Sequence, residues 1–303
     1  MRVAGLDRRN PLKAARALLW AGRATGRARR ILRATQADVV MGGGGYVAAP
    51  AGLAARSLGL PLVLTEADSH LGIANRMLAP FAERVFLAFD LPDHTGGKWV
   101  VTGRPIPAGV GGADRAAARA RFGIDDEREC LLVFGGSLGA RRLNEAAIEA
   151  FGSAAPGWVL HACGQRDHAE LARRLDELGR PAHYKLHPFI SPFADAYAAA
   201  DLAVARAGGS VFELLAAGLP AVLVPYPHAT ADHQTKNARW VARGGAAVVV
   251  PDDELDGPRL AREVAALLGA QDRLNAMERS ARALARPDAA ERVAHEILTF
   301  RRK

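Results

Sequence analysis

The chain has 303 residues, half of them hydrophobic and about a quarter charged, a balance that fits a globular protein of two ordinary domains. A formal net charge of +8 favours an anionic partner such as a phosphorylated ligand or an acidic membrane face, while sparse aromatics and the lack of zinc-finger, basic-zipper or RNP-type motifs argue against nucleic acid. Two cysteines, Cys130 and Cys163, form neither a disulfide framework nor a metal spacing, and no apolar run reaches membrane-spanning length, so buried thiols in a cytoplasmic protein are expected.

Residues 1 to 34 are strongly basic, with ten Arg and Lys against Asp7 alone. From Pro11 the pattern is helical, with Leu12, Ala15, Leu19 and Trp20 on one side. Such a helix can lie on an anionic membrane surface or can pack its apolar face on its own domain, and different faces can do both. Residues 37 to 41 read as a buried strand, followed by the glycine run Gly42 to Gly45, Tyr46 and a helix over 48–58. A strand over 61–65 ends in Glu66-Ala67-Asp68-Ser69-His70, a helix follows over 71–81, and 84–88 is another short strand. Alternating strands and helices predict a parallel sheet, whose ligands sit at the carboxyl ends of the strands.

The Gly- and Pro-rich stretch 93–113 reads as the linker, with a boundary near 105. A short helix over 116–122 leads into the apolar run Leu131 to Phe134, which ends in Gly135-Gly136-Ser137-Leu138-Gly139-Ala140 before a helical pattern. Strand, glycine turn and helix together offer main-chain N–H groups to a phosphate, and a purely structural turn is the alternative. Strands follow at 158–162, 183–186, 201–205, 221–224 and 246–249, with helices at 168–178, 192–199 and 211–217 and another reaching Trp240. Arg206 to Ser210 form a second small-residue turn with phosphate character, and Glu213 lies one turn into the next helix. An acid there can accept both hydroxyls of a ribose diol, or can simply be the acid that a helix dipole favours. Gln234 can bind sugar hydroxyls; His228 and His233 lack a third ligand at metal spacing.

Taken in order, these motifs resemble the MurG family of peptidoglycan glycosyltransferases. GGYVAAPAGLAA at 44–55 is similar to that family's second glycine-rich loop, and LTEADSHLGIANRMLA at 64–79 to its acceptor-side loop and helix. TGRPI at 102–106 resembles its linker strand and GGSLGARRLN at 135–144 its third glycine-rich loop. RAGGSVFELLAAGLP at 206–220 and HQTKNA at 233–238 resemble its donor-binding turns.

The resemblance implies an α/β GT-B fold of two Rossmann-like domains with parallel sheets, a partial acceptor domain over 1–105 and a UDP-sugar domain over 106–303. It implies that Ser137 contacts the diphosphate and the Ile190 backbone the uracil. Gly209, Ser210, Val211 and Phe212 then line the nucleotide and diphosphate, Glu213 holds the ribose, and Gln234 binds the N-acetylglucosamine hydroxyls. Tyr46 and Asn75 fall on the acceptor side, and Glu66 and Asp68 are the candidate bases. The implied reaction is inverting transfer from UDP-N-acetylglucosamine to a lipid-linked muramoyl-pentapeptide at the cytoplasmic face of the membrane, with no cofactor and no bound metal.

Three departures stand out. The family's opening strand and GxGGxGGH loop have no counterpart before Gly42, so the sequence is expected to begin inside the N-terminal domain, as a fragment or truncated reading of a longer chain. The family's usual His-Glu-Gln-Asn is here Thr65-Glu66-Ala67-Asp68, and Pro107 stands where an Arg usually follows the linker motif. A different sugar-nucleotide enzyme of the same architecture, such as an epimerase, and a non-catalytic or split nucleotide-binding half that works with a partner are the competing readings.

Overall fold

The computed structural model describes residues 11–124, 127–136 and 140–300, with the backbone alone described for 11–19 and 46. The chain divides into two compact units: one ends at Pro105 and takes in the segment from Pro287, and the other is Ile106–Arg286.

The first unit opens with helix α1 (Pro11–Ala34). Ala24 and Ala28, four residues apart, are buried, and their small side chains let α1 lie close on α2 (Gly45–Ser57). Arg23, Arg27, Arg30 and Arg33 occupy the exposed side. Strand β1 (Val40–Gly42) precedes α2; then come β2 (Leu62–Glu66), α3 (Ile73–Leu78), β3 (Arg84–Leu87) and β4 (Trp99–Val101). The four strands pair in the order β1-β2-β3-β4, all parallel. Strand β4 lies inside the stretch read as linker. It is three half-buried residues long and follows Gly96 and Gly97, both at positive φ, so no periodicity marks it.

The second unit contains α4 (Arg115–Arg121), β5 (Cys130–Phe134), α5 (Arg141–Phe151), β6 (Trp158–Ala162), α6 (His168–Glu177) and β7 (Tyr184–His187). It continues with α7 (Ala194–Ala199), β8 (Leu202–Ala205), α8 (Val211–Ala217), β9 (Ala221–Leu223), α9 (His233–Arg243), β10 (Ala247–Val249), α10 (Gly257–Leu268) and α11 (Gln271–Leu284). Every residue of β5, β6, β8 and β9 is buried, as expected of strands covered by helices on both faces. The strand order is β10-β9-β8-β5-β6-β7, all parallel. This is the doubly wound arrangement, and its direction reverses between β5 and β8.

Helix α12 (Ala289–Leu298) groups with the first unit, whereas the reading from sequence gave the whole of 106–303 to the second domain. Val293 packs with Val63 and Phe86 of the first sheet, flanked by Ile297 and Phe300, and Arg84 Nε bonds Glu296 Oε2 at 3.2 Å. An amphipathic helix read from sequence shows an apolar face without showing which sheet covers it.

Candidate active site

In a doubly wound sheet the crevice forms where the strand order reverses, outside the carboxyl ends of the two central strands. Here those ends are Phe134 of β5 and Ala205 of β8, which are register partners. Each is followed by a small-residue turn and a helix. After β5 the backbone passes through Gly135, where a Cβ would stand 2.3 Å from that of Ala140, and Gly136, at φ +91. A side chain at 135 could not be accommodated, so glycine there serves close packing of the turn on α5. Ser137 lies outside the described residues.

After β8 the turn opens with Arg206, whose side chain faces the strand ends. Its guanidinium is buried, donates to the carbonyls of Val224 and Pro225, and pairs with Asp252. It braces the ends of β8 and β9. Gly208, Gly209 and Ser210 then lead into α8, with Val211 N–H donating to Gly208 O and Phe212 N–H to Gly209 O. The Val211 and Phe212 side chains are buried, Phe212 beside Trp240. Asn237 of α9 donates to Ala207 O at 3.1 Å, which ties α9 to the same turn.

Glu213 is half-buried on the first turn of α8 and accepts a hydrogen bond from Tyr197 Oη at 3.2 Å. Burial, and then the charge of Glu213, push the Tyr197 phenol above its ordinary pKa, so it stays a donor. Gln234 Oε1 accepts from Tyr226 N–H at 2.9 Å, and its amide nitrogen stands 3.9 Å from where a Gly208 Cβ would be. The structure thus brings Gly209, Ser210, Val211, Phe212, Glu213 and Gln234 together at the end of β8. Ile190 is buried in the loop between β7 and α7, beside the exposed Phe189. That loop joins the crevice through α7, where the rings of Phe193 and Tyr197 meet Phe134 at centroid distances of 5.1 and 5.9 Å.

A buried polar chain supports α5 from below. Asn144 donates to Cys163 O at 2.9 Å and Asp167 Oδ2 at 3.0 Å, which leaves its Oδ1 to accept from His161 Nε2 at 3.1 Å. His161 Nδ1 then accepts from Tyr184 Oη at 2.7 Å. Burial lowers His161 from its ordinary 6.5 to about 3, so the ring is neutral. Arg166 bonds Asp167 and holds its carboxyl below the usual range. Both cysteines are buried, and burial pushes the Cys130 thiol up to about 12 and Cys163 up to about 11. Among the described residues no cluster of three or more His, Cys, Asp or Glu could hold a metal ion, and His233 Nδ1 is bonded to Thr230 O.

In the first unit the Glu66 carboxylate organises the 66–75 loop. It accepts from Asp68 N–H at 3.2 Å, Gly72 N–H at 2.7 Å and Asn75 Nδ2 at 2.9 Å, and it is buried. Asn75 Nδ2 also donates to Thr65 O and stands 3.6 Å from a Cβ built on Gly44, at φ +77, so the glycine run and this loop adjoin. Asp68 is half-exposed. Ser69 Oγ, His70 Nδ1 and Asn75 Oδ1 are buried with no hydrogen-bond partner among the described residues. The Tyr46 side chain lies outside the description.

Sequence reasoning missed Tyr197, which sits in an alanine-rich helix without a motif. It also missed an apolar surface on the first unit: Ile73 is 71% exposed, Met77 57% and Val47 55%, with Leu53 and Phe81 also exposed. Ile73 and Met77 are four apart on α3, opposite the buried Asn75 and Leu78, and that spacing was the available signal. Arg56 lies over the Phe81 ring at 3.7 Å.

Two parallel-sheet units, with a crevice at the strand-order reversal of the second, form the architecture shared by two-domain sugar-nucleotide enzymes, and the family matches place this chain among the glycosyltransferases. The glycosyltransferase family 28 N-terminal domain matches residues 2–87 and the family 28 C-terminal domain residues 130–293. A UDP-N-acetylglucosamine--N-acetylmuramyl-(pentapeptide) pyrophosphoryl-undecaprenol N-acetylglucosamine transferase of Moorella thermoacetica is 41% identical over 98% of this chain and 83% of its own length. The Methylococcus capsulatus enzyme of that name is 42% identical over 98% of this chain and 82% of its own. The crystal structure of Acinetobacter baumannii MurG superposes with a TM-score of 0.77 at 33% identity, covering 93% of this chain and 79% of that one. The chain belongs to the MurG family within glycosyltransferase family 28.

Proposed function

We propose that this chain transfers N-acetylglucosamine from UDP-N-acetylglucosamine to a lipid-linked muramoyl-pentapeptide, with inversion at the anomeric carbon. The observation that carries the donor half is the gathering of Gly209, Ser210, Glu213 and Gln234 at the strand-order reversal. Glu213 takes the ribose diol and Gln234 the sugar hydroxyls, while the Gly209–Ser210 turn at the start of α8 receives the diphosphate. As the anomeric C–O bond breaks, its electron pair goes to the diphosphate, and the dipoles of that turn stabilise the charge that develops there. Residues 106 onward to Arg286 form the UDP-sugar unit in this reading, and the first unit receives the acceptor.

The attacking sugar hydroxyl must give up a proton. Of the two candidate carboxylates, Glu66 has both oxygens committed to the loop, so we assign the proton to Asp68 and loop positioning to Glu66. Tyr46 and Asn75 border the acceptor. The test is transfer of labelled sugar from UDP-N-acetylglucosamine to the lipid-linked acceptor by the intact chain. Asp68→Ala is expected to lower kcat about 100-fold or more with UDP affinity unchanged, and Asp68→Asn, which restores the residue usual in the family pattern, separates proton removal from a polar contact. An unchanged kcat in Asp68→Asn would mean that Asp68 makes only the polar contact that Asn makes at this place in the family pattern.

A lipid-tailed acceptor is met at a membrane surface in this reading, and the basic α1 favours an anionic one. No helix among the described residues is long and apolar enough to cross a membrane. Docking through Ile73, Met77 and Phe81, with the exposed arginines of α1 as the electrostatic contribution, suits a peripheral protein at the cytoplasmic face. Replacing Arg23, Arg27, Arg30 and Arg33 by Gln should weaken sedimentation with anionic vesicles by about 1 kcal/mol for each arginine near the surface. Equal binding to neutral vesicles would remove the electrostatic part.

A further inference from the structure

Tyr197 lies on α7 within a run of alanines, yet its ring is 3% exposed and wedged against Phe134 and Phe193. Phe134 is the last residue of β5, so the phenol is fixed to the crevice by the sheet itself. From there its hydroxyl reaches across to Glu213 Oε2 at 3.2 Å, sixteen residues along the chain and on a different helix. A glutamate carboxylate on a helix surface has three side-chain torsions to fix, and fixing them costs free energy at binding unless it is done beforehand. A buried phenol held by two rings is a rigid donor that can do this.

We infer that Tyr197 is a positioning residue for the donor: its hydroxyl holds the Glu213 carboxylate ready for the ribose diol, and so sets the preference for ribose over deoxyribose nucleotides. The inference rests on the assignment of Glu213 to the ribose. Phenylalanine at 197 keeps the ring packing and removes the hydroxyl that donates to Glu213.

The experiment is calorimetric titration of the intact chain, Tyr197→Phe, Glu213→Gln and Glu213→Asp with UDP and with 2′-deoxy-UDP, alongside thermal unfolding. The unaltered chain should prefer UDP by about tenfold or more, since a site built to hydrogen-bond a hydroxyl discriminates against its loss. Tyr197→Phe should cut that ratio to about threefold and raise the KM for UDP-N-acetylglucosamine with little change in kcat. Glu213→Asp, which draws the carboxylate back from the phenol without touching the aromatic cluster, should give a similar partial loss. Glu213→Gln should lower the ratio further. If Tyr197→Phe lowers the unfolding midpoint and leaves the ratio intact, Tyr197 is a packing residue and the inference falls while the donor assignment stands. If the unaltered chain shows no preference, or Glu213→Gln leaves it intact, the donor assignment itself falls.

Discussion

Each unit buries a polar cluster, and the two differ in how completely they are satisfied. In the second unit the chain Tyr184–His161–Asn144–Asp167 passes hydrogen bonds from one member to the next with both imidazole nitrogens engaged. In the first unit Glu66 satisfies Asp68, Gly72 and Asn75, yet Ser69 Oγ, His70 Nδ1 and Asn75 Oδ1 have no partner among the described residues. A closed network is a scaffold: it fixes α5 behind the glycine turn and has no valence left for a ligand. An open network loses stability for every orphaned atom unless water or a ligand meets it. The contrast sets a self-contained scaffold in the second unit against a loop in the first whose buried polar atoms are left without partners among the described residues.

The largest effect should come from removing the hub of the open cluster. Glu66→Ala strips acceptors from two main-chain N–H groups and from the buried Asn75 amide, each worth about 1–3 kcal/mol when left unpaired. The first unit should lose about 3 kcal/mol or more in urea unfolding, and transfer should fall, while UDP affinity stays within about twofold because the nucleotide residues belong to the other unit. A loss below about 1 kcal/mol would show that the loop holds its shape without Glu66.

The closed cluster should respond to acid instead. His161 is neutral when folded, with its pKa lowered to about 3 by burial, against an ordinary 6.5. Below about pH 6.5 the unfolded chain therefore binds more protons than the folded one, so stability falls as pH drops through the window from 6.5 towards 3. Between about pH 7 and pH 5 the expected loss is about 2 kcal/mol, measured by urea unfolding. His161→Gln should be less stable at neutral pH and much flatter across that window. The same slope in both proteins would mean that other groups carry the acid sensitivity.

What the sequence disclosed follows the same division. Helix α8 was legible to the residue, because Ser210 stands before an apolar run and Gly218, at φ +68, ends it ahead of Pro220. The central strands were legible because they are continuous apolar runs. Pairings between distant residues were not. Nothing near Arg206 marks Asp252, 46 residues on, as its partner. Tyr197 and Glu213 meet only once β5, α7 and α8 are assembled. Nor does sequence reveal that Glu66 is committed to its own loop while Asp68, two residues on, is half-exposed.

The smallest change is the sharpest test of the contrast. Ser69 Oγ is a buried hydroxyl without a partner among the described residues, so in the free protein it costs stability. Ser69→Ala removes that cost and should leave the chain as stable as before or more stable, by up to about 1 kcal/mol. If the orphaned atom is there to meet the acceptor, the same change should raise the KM for the lipid-linked acceptor by about threefold to tenfold, with kcat and UDP affinity nearly unchanged. A gain in stability paired with a loss in acceptor binding is the signature of a site that gives up folding energy to keep a hydrogen bond for substrate. A gain in stability with an unchanged KM would make Ser69 a packing defect and dissolve the distinction between the two clusters at that position.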